Sequence, residues 1–215
     1  MMTLFKKINL LTVIFFILSA SLFAQEDITL RKNIVIIFDD SGSMRAGIPS
    51  RLVRAKKATK QFVSGIPNNY NLGIYTLNRG YIFPLQTLNS KSMLKAQKYI
   101  DNINTEGSTP LAKSLNEILT VMQKQKKVQA GYGSYTIVIA TDGLADSPTR
   151  MFNAVDKVID NEIMINTIGI DIKNHGLRTV TKFTEASSAK ELLKAMNKAI
   201  KSEISTNAKF IVQDF

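Results

Sequence analysis

The sequence predicts an α/β fold: a doubly wound, mostly parallel central sheet with one antiparallel edge strand and helices on both faces. Three observations predict it. Asn33-Ile-Val-Ile-Ile-Phe38 is an unbroken, β-branched apolar run, the pattern of a strand covered on both faces, and residues 134–140 and 163–170 repeat it. Between these runs lie segments whose apolar residues recur at helical spacing, so strand and helix alternate. Residues 70–77 and 81–87 are strand-like runs joined by Asn78-Arg79-Gly80, a hairpin connection that breaks the parallel rhythm.

The remaining elements follow in order. A helix is read over residues 50–66, where Leu52, Val53, Ala55, Ala58, Phe62 and Val63 share one side. Ser50 can cap its start, and Gly65 and Pro67 mark its stop. Residues 90–103 and 110–127 are the next helices; Pro110 opens the second, where no amide hydrogen is needed. A helix over 148–161 follows the second buried strand. Past Ile170 the pattern weakens: residues 177–184 are read as a short strand and 188–202 as the closing helix. Residues 202–215 are read as a tail or an edge strand. With no internal repeat and no low-complexity linker, one domain is placed at 33–201.

Composition removes several function classes. At 215 residues, 45% hydrophobic and 21% charged, the chain suits one globular domain with a substantial core. It has no Cys, which excludes disulfide frameworks, thiolate zinc sites, iron–sulfur clusters, Cys nucleophiles and a lipid-modified Cys. Its single His, His175, excludes two-His metal sites and leaves any Ser/His/Asp triad dependent on one residue. Chemistry must therefore use oxygen ligands or Lys. The net charge of +11 suits an anionic partner. The lysines, however, fall in separate helical segments, such as Lys91, Lys95 and Lys98, or Lys194, Lys198 and Lys201, which read as solvated helix faces. No basic stripe is interleaved with aromatics, so a nucleic-acid partner is not expected, while association with a membrane or envelope surface stays open.

Residues 1–24 read as a secretory signal peptide: Lys6 and Lys7 start it, residues 10–18 form its apolar centre, and small residues surround its end. Cleavage is placed after Ala24, with Ser21 as the alternative because Leu22 is large for the minus-three position. The competing reading is an uncleaved anchor. Residues 8–24 fall short of the roughly 20 apolar residues that a spanning helix wants, and contain Asn9, Thr12, Ser19 and Ser21. The protein is thus read as exported, periplasmic or secreted, with an inner-membrane anchor as the alternative and 25–32 as a spacer. Loss of Lys6 and Lys7 leaves +9.

In a doubly wound sheet the binding crevice lies outside the carboxyl ends of the strands, so function is sought after Phe38, Ala140 and Ile170. After Phe38 comes Asp39-Asp40-Ser41-Gly42-Ser43, with oxygen-bearing side chains at alternate positions. In a tight turn, residues 39, 41 and 43 can face one point, and such hard oxygen ligands suit Mg2+, Mn2+ or Ca2+. Thr141-Asp142-Gly143 places a second carboxylate at the end of another central strand, and Gly107-Ser108-Thr109-Pro110 offers a hydroxyl at the head of a helix. The bland reading of Asp39, Ser41 and Ser43 is a helix-capping turn.

Asp39-x-Ser41-x-Ser43, Thr109 and Asp142 together resemble the metal-ion-dependent adhesion site of the von Willebrand factor type A domain. The resemblance covers residues 32–201 and implies a doubly wound, Rossmann-like sheet. It implies that Asp39, Ser41, Ser43, Thr109 and Asp142 bind a divalent cation, directly or through water, with Mg2+ favoured and Mn2+ or Ca2+ as alternatives. It further implies that a protein partner's Asp or Glu completes the shell, so that the cation joins two proteins and is not a catalyst. Ser108 stands where many members have Gly, and residues 172–185 are short for the family, with the usual helix reduced to about Lys173-Asn174-His175-Gly176.

Neighbouring residues receive plainer readings. Asp40 points to solvent or stands behind the ligands; Asp146 and Asp171 are caps or solvated acids; His175 is a loop residue. Tyr75, Tyr81 and Phe83 pack in the sheet, and Met44 and Arg45 flank the metal loop, within reach of a partner. Three functions compete: an exported cation-dependent protein-binding module, a basic envelope-associated protein with a vestigial metal site, and a metal-dependent hydrolase. Dehalogenase-type phosphatases need a second Asp two residues after the first, where Ser41 stands, and the nucleophile-elbow and phosphate-loop motifs are absent. The expectation is a protein that is not an enzyme.

Overall fold

The computed structural model describes residues 28–173 and 175–211, with side chains to residue 201. Six strands form one sheet: β1 (Lys32–Phe38), β2 (Tyr70–Thr76), β3 (Gly80–Thr87), β4 (Ser134–Thr141), β5 (Met164–Ile170) and β6 (Lys182–Ala186). Their order is β3-β2-β1-β4-β5-β6, and every pairing is parallel except β2 with β3. From β1 the chain winds outward to β3, then returns to the other side of β1 and winds outward to β6. The direction reverses between β1 and β4, which opens a crevice at their carboxyl ends.

Five helices cover the sheet: α1 (Arg51–Gly65), α2 (Ser90–Asp101), α3 (Leu111–Val128), α4 (Pro148–Asp160) and α5 (Ala189–Ile211). The two-residue alternation of β1 explains the layers. Ile34, Ile36 and Phe38 face one core, shared with Ala58 and Phe62 of α1, Ile100 of α2, and Leu192 and Met196 of α5. Val35 and Ile37 face the other, shared with Leu115, Ile118 and Met122 of α3 and Val155 and Val158 of α4. Each fully buried Ile, Val or Phe contributes roughly 1.5–3 kcal/mol of transfer free energy, which makes the sheet a rigid platform for its edge loops. Helix starts follow local chemistry. Ser50 Oγ accepts the Val53 amide at 3.3 Å, and Asn89 with Ser92 forms a reciprocal capping box at α2.

Two expectations change past Ile170. Residues 177–184 are not one strand: Gly176–Thr179 is a 3-10 turn, and β6 begins only at Lys182. The His175 side chain accepts the Leu177 amide, and Leu177 is buried against the α3/α4 core, so these residues serve turn packing, not a strand ladder. The closing helix does not stop near Ser202. Its backbone continues to Ile211, and no Gly or Pro interrupts it, so residues 202–211 form neither a tail nor an edge strand.

Of the expected spacer, Ile28–Leu30 is a 3-10 turn and Lys32 already belongs to β1. The expected signal peptide lies outside the described residues, among which no helix is long and apolar enough to cross a membrane.

Candidate metal centre

Strand register brings the first two loops together. Phe38 lies opposite Ala140 across the β1–β4 pairing, and the Asp39 amide donates to the Ala140 carbonyl at 3.1 Å. Asp39 and Asp142 therefore leave the sheet side by side. Asp39 is fully buried; its Oδ1 accepts the Ser41 amide at 2.8 Å and its Oδ2 accepts the Thr141 hydroxyl at 2.5 Å. Gly42–Arg45 then folds as a 3-10 turn, which swings Ser43 back toward Ser41. The two hydroxyl oxygens stand 3.1 Å apart, and Ser43 Oγ donates to Asp142 Oδ1 at 2.7 Å. Thr109 arrives from the loop before α3: a Cβ on Gly143 would lie 3.4 Å from Thr109 Oγ1 and 3.7 Å from Ser43 Oγ. Asp39, Ser41, Ser43, Thr109 and Asp142 thus meet in one crevice.

A second ring of side chains holds these five. Asp40 is buried behind them, not solvated, and its Oδ1 accepts both the backbone and side-chain N–H of Asn78 at 3.1 and 2.8 Å. Asn78 Nδ2 also donates to the carbonyls of Glu106 and Ser108, and its Oδ1 accepts the Ser108 amide. The amide packs against Gly107, whose φ of +62° and lack of room for a Cβ both require glycine. Asp146 is neither a helix cap nor a free acid. Its Oδ1 accepts the Thr109 amide at 2.9 Å and its Oδ2 accepts the Ser108 hydroxyl at 2.7 Å, strapping the Thr109 loop to the Asp142 loop.

His175 lies in a loop, as expected, and is buried there, with Nε2 2.6 Å from the Gly143 carbonyl oxygen, because the short connection after β5 folds back under that loop. Two more expectations are corrected. Asp171 is ion-paired with Arg51 and Arg54, and Arg51 reaches Asp142 as well. Met44 is fully buried in the α1-side core and cannot meet a partner, whereas Arg45 is exposed and donates to Thr105. Tyr75 and Phe83 are buried, and Tyr75 packs edge-on against the half-buried Tyr81 with ring centroids 5.1 Å apart.

Sequence reasoning passed over Asn78 and Arg51. Asn78 carried no signal, but Arg51 did: a cation at the first turn of a helix opposes the helix dipole and calls for an acid.

The electrostatics follow from burial. Desolvation raises the Asp39 carboxyl above its ordinary range, and the neighbouring Asp142 charge adds to it; burial likewise raises Asp40. Asp171 is pushed down to about 2, chiefly by Arg54 and then by Arg51. Burial lowers His175. The five converging donors are all oxygens, two from carboxylates and three from hydroxyls, and among the described residues no group of three or more His, Cys, Asp or Glu stands together as a metal cluster. A buried Asp39 whose charged form is disfavoured by desolvation, beside a second carboxylate and three hydroxyl groups, fits a hard divalent cation.

The chain was compared with known proteins. No curated protein matches it. Among solved structures it superimposes on a von Willebrand factor type A protein from Catenulispora acidiphila with a TM-score of 0.68 and 19% identity, over 79% of this chain and 42% of that one. It superimposes on a pilus adhesin from Lactobacillus rhamnosus GG with a TM-score of 0.68 and 14% identity, over 80% and 30%. It also superimposes on proximal thread matrix protein 1 from the mussel byssus, described with a zinc-occupied MIDAS motif, with a TM-score of 0.62 and 20% identity, over 82% and 46%. The chain spans less than half the length of each, and these likenesses establish the fold. The family model for the von Willebrand factor type A domain matches residues 33–213, most of the sequence. The chain belongs to the von Willebrand factor type A domain family.

Proposed function

We propose that this protein is an exported, non-enzymatic binding module that captures a partner protein through a divalent cation. The observation that carries the reading is the chain of oxygens Ser41 Oγ, Ser43 Oγ and Asp142 Oδ1, linked at 3.1 and 2.7 Å beside a buried Asp39. Side chains from the first loop and the Asp142 loop already stand in mutual contact, and Asp146 ties down the Thr109 amide, so little ordering is left for a ligand to drive. Asp39, Ser41 and Ser43 would hold the cation from the first loop, with Thr109 and Asp142 direct or through water. Mg2+ is the proposed occupant, with Mn2+ or Ca2+ as alternatives; the mussel protein's zinc-occupied MIDAS is a precedent for a divalent ion in this fold. The bound cation supplies a Lewis-acidic centre able to take one more oxygen ligand, which we assign to an Asp or Glu of the partner. The adhesin among the structural neighbours supports a protein partner.

What this chain's own residues do is positional. The Asn78 and Asp146 bonds fix the Thr109 loop, and His175 supports the peptide after Asp142. Both ring nitrogens of His175 are taken, by the Gly143 carbonyl and the Leu177 amide, so it is not free to act as a base toward a Ser hydroxyl, which supports a binding role over hydrolysis. Export rests on the sequence of residues 1–24.

A second reading, a basic structural protein with a vestigial site, draws on the ion pair that Arg51 makes with Asp142. One experiment separates the two: capture of envelope proteins on immobilised protein in Mg2+, then elution with EDTA. Release by chelator of a protein that Asp39→Ala does not capture supports the cation-dependent module. Retention in chelator supports surface charge instead.

A further inference from the structure

Arg51 Nη1 stands 2.7 Å from Asp142 Oδ2, and its Nε stands 3.1 Å from Asp171 Oδ2. Arg54, one turn further along α1, holds the other side of Asp171 and donates to the Ser187 carbonyl. The fully buried Asp142 side chain is therefore shared, with Oδ1 taken by the Ser43 hydroxyl and Oδ2 by a guanidinium. Two arginines against Asp142 and Asp171 cancel. Asp39 is left as the uncompensated carboxylate among the five proposed ligands, with Asp40 buried beneath it.

We propose that Arg51 is a resident counter-charge that sets how tightly this site holds a divalent cation. The inference rests on the cation-binding reading above and deepens it. A guanidinium that neutralises Asp142 from behind repels an incoming dication and makes Asp142 a weaker donor. Counting the dication, the carboxylates of Asp39 and Asp142 and the guanidinium of Arg51, the loaded ligand shell then keeps a positive excess, which a partner's carboxylate discharges. Cation and partner acid consequently strengthen each other's binding, as linkage requires. Arg suits this role better than Lys, because its planar fork serves two carboxylates at once and it never loses its charge.

The test is a Mn2+ titration of the purified protein by calorimetry at neutral pH, with folding checked by circular dichroism. Removing the charge with Arg51→Met should tighten Mn2+ binding by about tenfold, the size of a unit charge acting on a dication through a water-rich medium. Arg54→Met removes a more distant cation, from Asp171 and not from Asp142, so it should change Mn2+ affinity far less than Arg51→Met does even where it lowers the melting temperature. A purely structural role for Arg51 would loosen the site and weaken Mn2+ binding. Equal or weaker binding by Arg51→Met therefore overturns the proposal. If that variant does not fold, Arg51→Gln, which can still donate to Asp142 Oδ2, is read the same way. A wild-type protein that takes up no Mn2+, like Asp39→Ala, overturns the cation reading itself. That outcome is distinct from a wild type that binds while the Arg51 variants fail to tighten.

Discussion

His175 Nε2 donates to the carbonyl oxygen of Gly143 across 2.6 Å, while its Nδ1 accepts the amide hydrogen of Leu177 at 3.0 Å. Together the two bonds require the neutral ring with its proton on Nε2, since a protonated Nδ1 would face the Leu177 N–H. They join the turn before β6 to the loop that carries Asp142.

Burial lowers the His175 pKa below its ordinary 6.5, so the unfolded chain binds the proton more readily than the folded one. Its contribution to stability is complete above pH 6.5 and is lost as pH falls through the folded value. Urea unfolding of wild type and His175→Phe at several pH values checks this. The stability gap between them should shrink on acidification, and a gap independent of pH would refute the assignment.

Asp39 works in the opposite sense. Its pKa is raised, first by burial, so its favourable contribution exists below the ordinary 3.8 and is lost as pH rises through the folded value. Without metal, ionising this buried carboxyl is a cost. Asp39→Asn should thus be at least as stable as wild type in EDTA, yet lose the rise in melting temperature that Mg2+ gives wild type. That rise corresponds to about 2.7 kcal/mol at one hundred times the dissociation constant. A marked destabilisation of Asp39→Asn in EDTA would show that the charge is chiefly structural.

Asp146 touches none of the proposed ligand oxygens, but it holds the Thr109 amide at 2.9 Å and the Ser108 hydroxyl at 2.7 Å. Releasing the strap should weaken cation binding by roughly 10–100-fold, as loss of an outer-shell partner does. Being exposed, the site should lose only about 1 kcal/mol of stability. Calorimetric Mg2+ titration and chemical unfolding of Asp146→Ala measure the two effects, and an unchanged Mg2+ affinity would remove Asp146 from the site.

Gln129 is a control at the opposite end of the sheet. Fully buried, it donates from Nε2 to the carbonyls of Ile28, Thr29 and Arg31, and its Oε1 accepts from Asn33 and Tyr135. Gln129→Ala leaves buried partners unpaired and should cost about 1–3 kcal/mol while leaving cation affinity unchanged. A drop in Mn2+ affinity would mean that the two ends of the sheet are coupled.

The legible part of the fold was the part with period. The continuous apolar runs of β1, β4 and β5 and the helical spacing of α1 to α4 are local properties, and their boundaries fall within a residue or two of those expected. The stretch after Ile170 failed because Leu177 and Val180 look strand-like, yet they fill the space under the Asp142 loop, where His175 starts a turn.

The sequence by itself determined the alternation of strands and helices and the oxygen-bearing loop Asp39, Ser41 and Ser43, because strand burial and a short loop are written in consecutive or regularly spaced positions, while the family resemblance joined Thr109 and Asp142 to them as the five candidate residues. Only the tertiary structure decided what stands behind those five. Asn78 on Asp40, Asp146 on Thr109, His175 on Gly143 and Arg51 on Asp142 are contacts between residues 32 to 91 positions apart. No local pattern encodes such pairs. They exist because the parallel register of β1 with β4 delivers distant loops to one rim, where each buried charge must find a partner.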